Sequence, residues 1–194
     1  ISMKNIVITG GLGYIGTELC KIYSGYSWND KITVIDNRFI SERVNQIRNW
    51  NMNFVHGDIL DKELIKIHCE NADIIHHLAG ITDVPRVKSE INSEKERLIE
   101  EVAQQGTQNI LDVVSDKCKI IMPSTHVVYE GLESIKKELS EDEKTLPILA
   151  YARSKAINEK QLKFSGKNFI ILRLGSVYGY STDTTRIDIM PNLF

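Results

Sequence analysis

The feature that most limits how this chain can fold is the run Lys4-Asn5-Ile6-Val7-Ile8-Thr9-Gly10-Gly11-Leu12-Gly13-Tyr14-Ile15-Gly16. Apolar β-branched residues from Ile6 to Ile8 read as a strand that ends at Thr9. A helical pattern begins near Tyr14 and sets Ile15, Leu19 and Ile22 on one face. Between the two, glycines 10, 13 and 16 turn the chain tightly, admit a ligand to the backbone and let the helix pack on the strand. Their spacing, GxxGxxG, differs by one residue from the dinucleotide fingerprint GxGxxG. A helix that starts directly after such a loop offers free N–H groups to a pyrophosphate. The run therefore predicts a phosphate cradle, with a plain tight turn as the alternative.

Twenty residues after Gly16, Asp36 closes a second apolar run, Ile32-Thr33-Val34-Ile35. A carboxylate at the tip of that strand accepts hydrogen bonds from both ribose hydroxyls of NAD and repels an added 2′-phosphate. Arg38 pulls the other way by attracting the phosphate, which leaves NADP as the lesser outcome. Asp58-Ile59 follows a third short strand, Asn53–His56. There the carboxylate meets an adenine amino group and Ile59 covers a ring face; the alternative is a helix capped at Asp61 with Asp58 in its turn.

The rest of the chain alternates in the same way. Ser41 is read as capping a short helix through Trp50, and a helix from Asp61 to Glu70 turns Leu64, Ile65 and Cys69 inward. Asp73–Leu78 forms the fourth strand, and Ala79-Gly80 lets the chain pass close to a nucleotide. His76 and His77 are neighbours on that strand and point to opposite faces, one to the core and one to the surface, so they share no metal. Val84–Ser115 is mainly helical, and Lys119–Met122 is the fifth strand, which delivers Pro123-Ser124-Thr125. A polar loop from Glu130 to Leu149 leads to a helix that carries Tyr151 and Lys155 and stops at Gly166; Asn168–Leu174 is the sixth strand. Strands separated by helices specify an α/β fold, a Rossmann-type doubly wound parallel sheet that gathers its ligands at the strands' carboxyl ends.

Composition excludes several alternatives. A formal charge of −2, with basic residues scattered among acidic ones, gives no electrostatic footprint for nucleic acid. No window approaches the length that crosses a bilayer, and no leader pattern opens the chain, so a cytoplasmic protein is expected. Cys20, Cys69 and Cys118 are too few and too scattered for a disulfide framework or a zinc knuckle, and they read as reduced, buried fillers. Ile1-Ser2 precedes Met3 and is read as lying outside the natural start.

Tyr151 and Lys155 stand four apart on one helix and so share a side. An ammonium beside a phenol stabilises the phenolate and makes Tyr151 a base. Thr125 lies at the end of the facing strand, where its hydroxyl can bridge a substrate oxygen to that of Tyr151; Ser124 is its rival.

Together, glycines 10, 13 and 16, Asp36, Asp58-Ile59, Leu78-Ala79-Gly80, Thr125, Tyr151 with Lys155, and Arg173-Leu174-Gly175-Ser176-Val177-Tyr178-Gly179 resemble the extended short-chain dehydrogenase/reductase family, in particular its NAD-dependent nucleotide-sugar epimerases and dehydratases. The resemblance implies tightly held NAD, contacted by Gly10, Gly13, Tyr14, Ile15, Gly16, Asp36, Asn37, Asp58, Ile59, Leu78, Ala79, Gly80, Tyr151 and Lys155. It also implies a nucleotide-sugar substrate met by Thr125, His126 and Ser176, a homodimer formed through the helices of Gly106 and Tyr151, and Thr125 rather than Ser124 as the assisting hydroxyl. Residues 3–174 then form the NAD-binding domain and 175–194 the start of a substrate lobe, most of which is expected beyond Phe194.

Four departures bear on the chemistry. Where family dehydratases carry Asp and Glu after the assisting hydroxyl, this chain has His126 and Val127. Val127 exchanges no proton, which favours 4-epimerisation over dehydration, with a dehydratase, decarboxylase or reductase of the same family as the alternatives. Ala103 replaces an asparagine that supports the active-site helix, which keeps a non-catalytic NAD-binding protein in view. Glu130 replaces a glycine, and Ser176 stands where many members carry an asparagine.

Overall fold

The structure is a computed structural model that describes residues 3–26, 29–82, 92–133 and 138–182. Six strands, β1 (Asn5–Thr9), β2 (Lys31–Asp36), β3 (Asn53–His56), β4 (Ile74–His77), β5 (Lys119–Thr125) and β6 (Asn168–Leu174), form one parallel sheet in the order β3-β2-β1-β4-β5-β6. Helices α1 (Tyr14–Ser24), α2 (Ser41–Asn49), α3 (Lys62–Cys69), α4 (Ser93–Val113) and α5 (Ala150–Phe164) connect them. The sequence order reverses between β1 and β4, and that is where a doubly wound sheet opens a crevice for a ligand.

The two-residue period of the strands divides the core in two. Ile6, Ile8, Ile32 and Val34 face α1 and α2 and pack with Leu12, Cys20, Val44 and Ile47. Val7, Ile35, Ile75, Ile120 and Met122 face the other way, toward Ile65, Ile110, Leu111 and Leu162 of α3, α4 and α5. Each fully buried aliphatic side chain stabilises the fold by roughly 1.5–3 kcal/mol, so the paired layers fix the strand ends firmly. The three cysteines are buried thiols, and burial pushes Cys20 and Cys69 up to about 12 and Cys118 up to about 11, which leaves them unreactive. No helix among the described residues is long and apolar enough to cross a membrane.

Several local readings need correction. Helix α1 buries Gly16, Thr17 and Cys20, whereas Ile15 and Ile22 are exposed and Leu19 is half-buried. Small residues take the inner face because α1 is drawn onto the glycine loop itself: a Cβ at Gly16 would lie 2.4 Å from the Gly10 carbonyl oxygen. Apolar periodicity cannot detect a contact made by backbone. Ser41 is the first residue of α2 and Ile40 occupies the cap position, with no side-chain hydrogen bond there. Helix α4 starts at Ser93, capped by Asn92 Oδ1 at 2.9 Å from the Glu94 amide; Val84 lies outside the described residues. Strand β5 continues past Met122 to Thr125, paired throughout with β6.

Candidate functional site

The first part of the site is made by backbone. Gly10 sits at φ +70°, where a Cβ would be 2.7 Å from the Ala79 nitrogen, so the ends of β1 and β4 touch only because Gly10 has no side chain. Gly13 is the cap residue of α1, and Gly16 lies over Gly10, so the helix begins directly behind the loop. Asp36, 6% exposed, latches that loop to the tip of β2: its Oδ2 accepts from the Leu12 amide at 2.9 Å and its Oδ1 from the Arg38 amide at 2.9 Å. An ionised carboxylate has about four acceptor positions, of which the Leu12 amide, the Arg38 amide and Arg38 Nε take three, so Oδ2 keeps capacity for a ribose hydroxyl. The Arg38 guanidinium turns in to Asp36, with Nε 3.4 Å from Oδ1.

Asn37 and Asp58 close the far edge, with Asn37 Nδ2 donating to Asp58 Oδ2 at 3.2 Å. Asp58 Oδ1 also accepts from the Leu60 amide and Asp61 caps α3, so the turn geometry weighed as an alternative coexists with the clasp. Ile59 is 6% exposed and fills the space that Gly106 leaves on α4, which assigns most of its surface to packing.

The second part is made by side chains from several elements. Lys155 is 8% exposed and its Nζ lies 5.9 Å from the centre of the half-buried Tyr151 ring, so the four-residue spacing does bring the pair together. Burial pushes the Lys155 ammonium down to about 8. Helix α5 packs on β5 and on the 3-10 turn His126–Tyr129 that follows it. Ser124 Oγ donates to Glu159 Oε1 at 2.6 Å and is thereby committed to α5. Thr125 Oγ1 accepts from the Val127 amide at 3.2 Å, which leaves the hydroxyl proton to give. His126 is exposed and its Nδ1 lies 3.2 Å from the Leu174 carbonyl; Ser176 is exposed beyond β6.

A model of the NAD dependent epimerase/dehydratase family matches residues 6–192. The chain belongs to that family. It is 30% identical to dTDP-D-glucose 4,6-dehydratase of Dictyostelium discoideum over 91% of this chain and 44% of that protein. It superposes on a UDP-N-acetylglucosamine 4-epimerase from Methanobrevibacter ruminantium M1, in complex with UDP-N-acetylmuramic acid, with a TM-score of 0.77 and 28% identity over 95% of this chain and 59% of that one. UDP-glucose 4-epimerase from Brucella ovis in complex with NAD gives a TM-score of 0.74 at 26% identity, over 92% of this chain and 54% of the other. The chain thus spans about half the length of these relatives.

NAD is the cofactor of this family, and the residues present fit it. Gly10 and Gly16 let backbone meet backbone, which brings the free N–H groups at the start of α1 up behind the loop, and the carboxylate of Asp36 stands at its rim. Bound NAD would supply the acceptor and the donor of a hydride.

Three sets of contacts at the site go beyond the sequence reading. Glu159 pairs with Arg173 through two bonds, Nε to Oε1 at 2.9 Å and Nη2 to Oε2 at 2.6 Å, while Arg173 Nη1 also donates to the Tyr129 hydroxyl and to the Glu141 carbonyl. A signal existed: Tyr151, Lys155 and Glu159 share one helical stripe, and Arg173 is a lone cation in an apolar strand. Glu130 Oε1 accepts from the amides of Ile148 and Leu149 at 2.6 Å each, so the residue that replaces a glycine caps the start of α5. Ala103 is buried in the α4–α5 seam, where its carbonyl accepts from Asn158 Nδ2 at 2.8 Å.

Proposed function

We propose that this chain carries the dinucleotide-binding and catalytic part of a nucleotide-sugar 4-epimerase. The observation that carries the reading is where the carboxylates go. Eliminating water from a 4-keto sugar needs an acid and a base beside the reacting carbons. Thr125 is followed by His126 and Val127, and the neighbouring carboxylates are committed elsewhere: Glu130 to two amides, Glu159 to Arg173 and Ser124. Epimerisation needs neither carboxylate. Tyr151 takes the proton of the sugar's C4 hydroxyl, with Thr125 bridging the two oxygens and Lys155 stabilising the phenolate. The C4 hydride would pass to bound NAD and return to the opposite face after the 4-keto sugar has turned in the site, as Tyr151 gives the proton back.

The similarity to the Dictyostelium dehydratase across most of the chain favours dehydration as the second reading. In the epimerase reading, residues 3–174 form the dinucleotide domain and 175–194 open the lobe that reads the sugar nucleotide, and the protein is a cytoplasmic homodimer joined through α4 and α5. NAD contacts are assigned to the glycine loop with Tyr14 and Ile15, to Asp36, Asn37, Asp58 and Ile59, to Leu78, Ala79 and Gly80, and to Tyr151 and Lys155. Substrate contacts are assigned to Thr125, His126 and Ser176.

Incubating the full-length protein with NAD and a panel of nucleoside diphosphate sugars, and resolving the products by chromatography and proton NMR, tests the reading. A C4 epimer is expected; a 4-keto-6-deoxy sugar or a decarboxylated pentose would overturn it. Tyr151→Phe should lower hydride transfer by on the order of 10³-fold with NAD affinity nearly unchanged, because the ring still packs.

A further inference from the structure

We propose that His77 is a positioning residue that sets the separation between the glycine loop and the helix bearing Tyr151 and Lys155. The proposal rests on the NAD-dependent reading of the site, and His77 touches neither a reacting atom nor the loop glycines. Its imidazole is buried and lies between two hydroxyls, with Nδ1 2.9 Å from Thr9 Oγ1 and Nε2 3.0 Å from Thr107 Oγ1. Thr9 Oγ1 already accepts from the Ala79 amide at 3.2 Å.

The Ala79 N–H donates to Thr9, and a neutral imidazole donates from one ring nitrogen to one of the two hydroxyls while its bare nitrogen accepts from the other. An imidazolium would donate from both nitrogens and leave neither hydroxyl proton an acceptor on the ring. It would also be a buried charge near the Lys155 ammonium, and burial together with that ammonium pushes His77 down to about 3. His77 is therefore a neutral, directional strut.

Both ends of the strut reach parts that matter. Thr9 precedes Gly10, and Ala79 is the residue against which Gly10 is pressed. Thr107 follows Gly106 on α4, and α4 is stitched to α5 by Asn158 and Gln161, which donate to the carbonyls of Ala103 and Gln104. A shift at His77 moves the dinucleotide loop relative to α5, and small errors in that placement cost much in rate.

Three measurements on the full-length protein test this. Nitrogen-15 NMR of the His77 ring should show one protonated and one bare nitrogen at neutral pH. Thr107→Val, isosteric and remote from the loop, should weaken NAD binding by about 2- to 10-fold in a calorimetric titration. His77→Leu should lower kcat by on the order of 10- to 100-fold with KM for the nucleotide sugar unchanged, and His77→Gln, whose amide reaches the Nε2 position, should recover most of that loss. Protons on both ring nitrogens at neutral pH, or wild-type NAD affinity in Thr107→Val, would overturn the proposal even if His77→Leu failed to fold. If no nucleotide sugar is turned over, the epimerase reading fails, while the NMR and NAD titrations still decide the role of His77.

Discussion

The two ends of the cleft are built on opposite principles. At the glycine end the site is an absence: Gly10, Gly13 and Gly16 hold no side chains, and two backbones meet across Gly10. At the end that carries Tyr151 and Lys155 it is an accumulation, where Ser124, Glu159 and Arg173 from β5, α5 and β6 satisfy one another and Thr125 and Glu130 take backbone amides. The first end tolerates almost no added atom. The second tolerates no removed partner.

Removing a partner should have the largest effect. Arg173→Met leaves the buried Glu159 carboxylate with only the half-exposed Lys163 ammonium at 3.6 Å and the Ser124 hydroxyl, and chemical denaturation should register a loss of up to about 3–5 kcal/mol. Replacing both, Arg173→Met with Glu159→Leu, should recover most of it, since a buried pair is weak evidence of net stabilisation. If the double variant were as unstable as the single one, the network would contribute through geometry, not charge.

Adding an atom comes next. Gly10→Ala combines a left-handed backbone with a Cβ 2.7 Å from the Ala79 nitrogen, and should cost about 2–4 kcal/mol as well as NAD binding. Gly166 has nearly the same φ, +71°, with nothing within 4 Å of its Cβ, so Gly166→Ala should cost only about 1 kcal/mol and spare the cofactor. Equal losses at the two positions would show that backbone strain alone is at work. Asp36→Ala should weaken NAD by about tenfold and NADP by less, because it removes the ribose acceptor and the charge that opposes a 2′-phosphate. Equal weakening of both would remove Asp36 from cofactor choice.

The last effect depends on pH. Lys155 titrates at about 8 when folded against an ordinary value of 10.5, so between those limits the unfolded chain binds the proton that the folded chain has released. Stability from this group therefore rises from pH 8 to about 10.5, where the burial cost of the ammonium disappears. Hydride transfer should fall as the pH passes about 8, where the folded Lys155 gives up its proton and the phenolate loses its partner. Lys155→Met should flatten the stability curve, raise the melting temperature at pH 7 by a few degrees and abolish the activity limb. A variant that melted lower than wild type at pH 7 would show that Lys155 is a structural cation.

Much of this was legible in the residues because it depends on neighbours in sequence. Strand and helix periods placed all six strands and their order of appearance, and a helix repeat alone stacked Tyr151 over Lys155. The glycine loop was readable for the same reason: backbone freedom is a property of the residue itself. The inner face of α1 was misread because its contacts are to backbone, which leaves no apolar stripe.

What only the tertiary structure decided is which partner each polar group takes. Ser124 and Thr125 are equivalent as hydroxyls in sequence, and Glu159, 35 residues from Ser124, separates them by claiming the first. Glu130 reads as a loop acid until the chain folds back and sets two amides against it. His76 and His77 are adjacent, yet one meets Tyr23 on α1 and the other joins Thr9 to Thr107 across the opposite face. A sequence determines the periods of its elements and the freedom of its glycines, because those depend on a few bonds. A buried donor finds its acceptor only when distant segments close off water around both, and that choice belongs to the folded molecule.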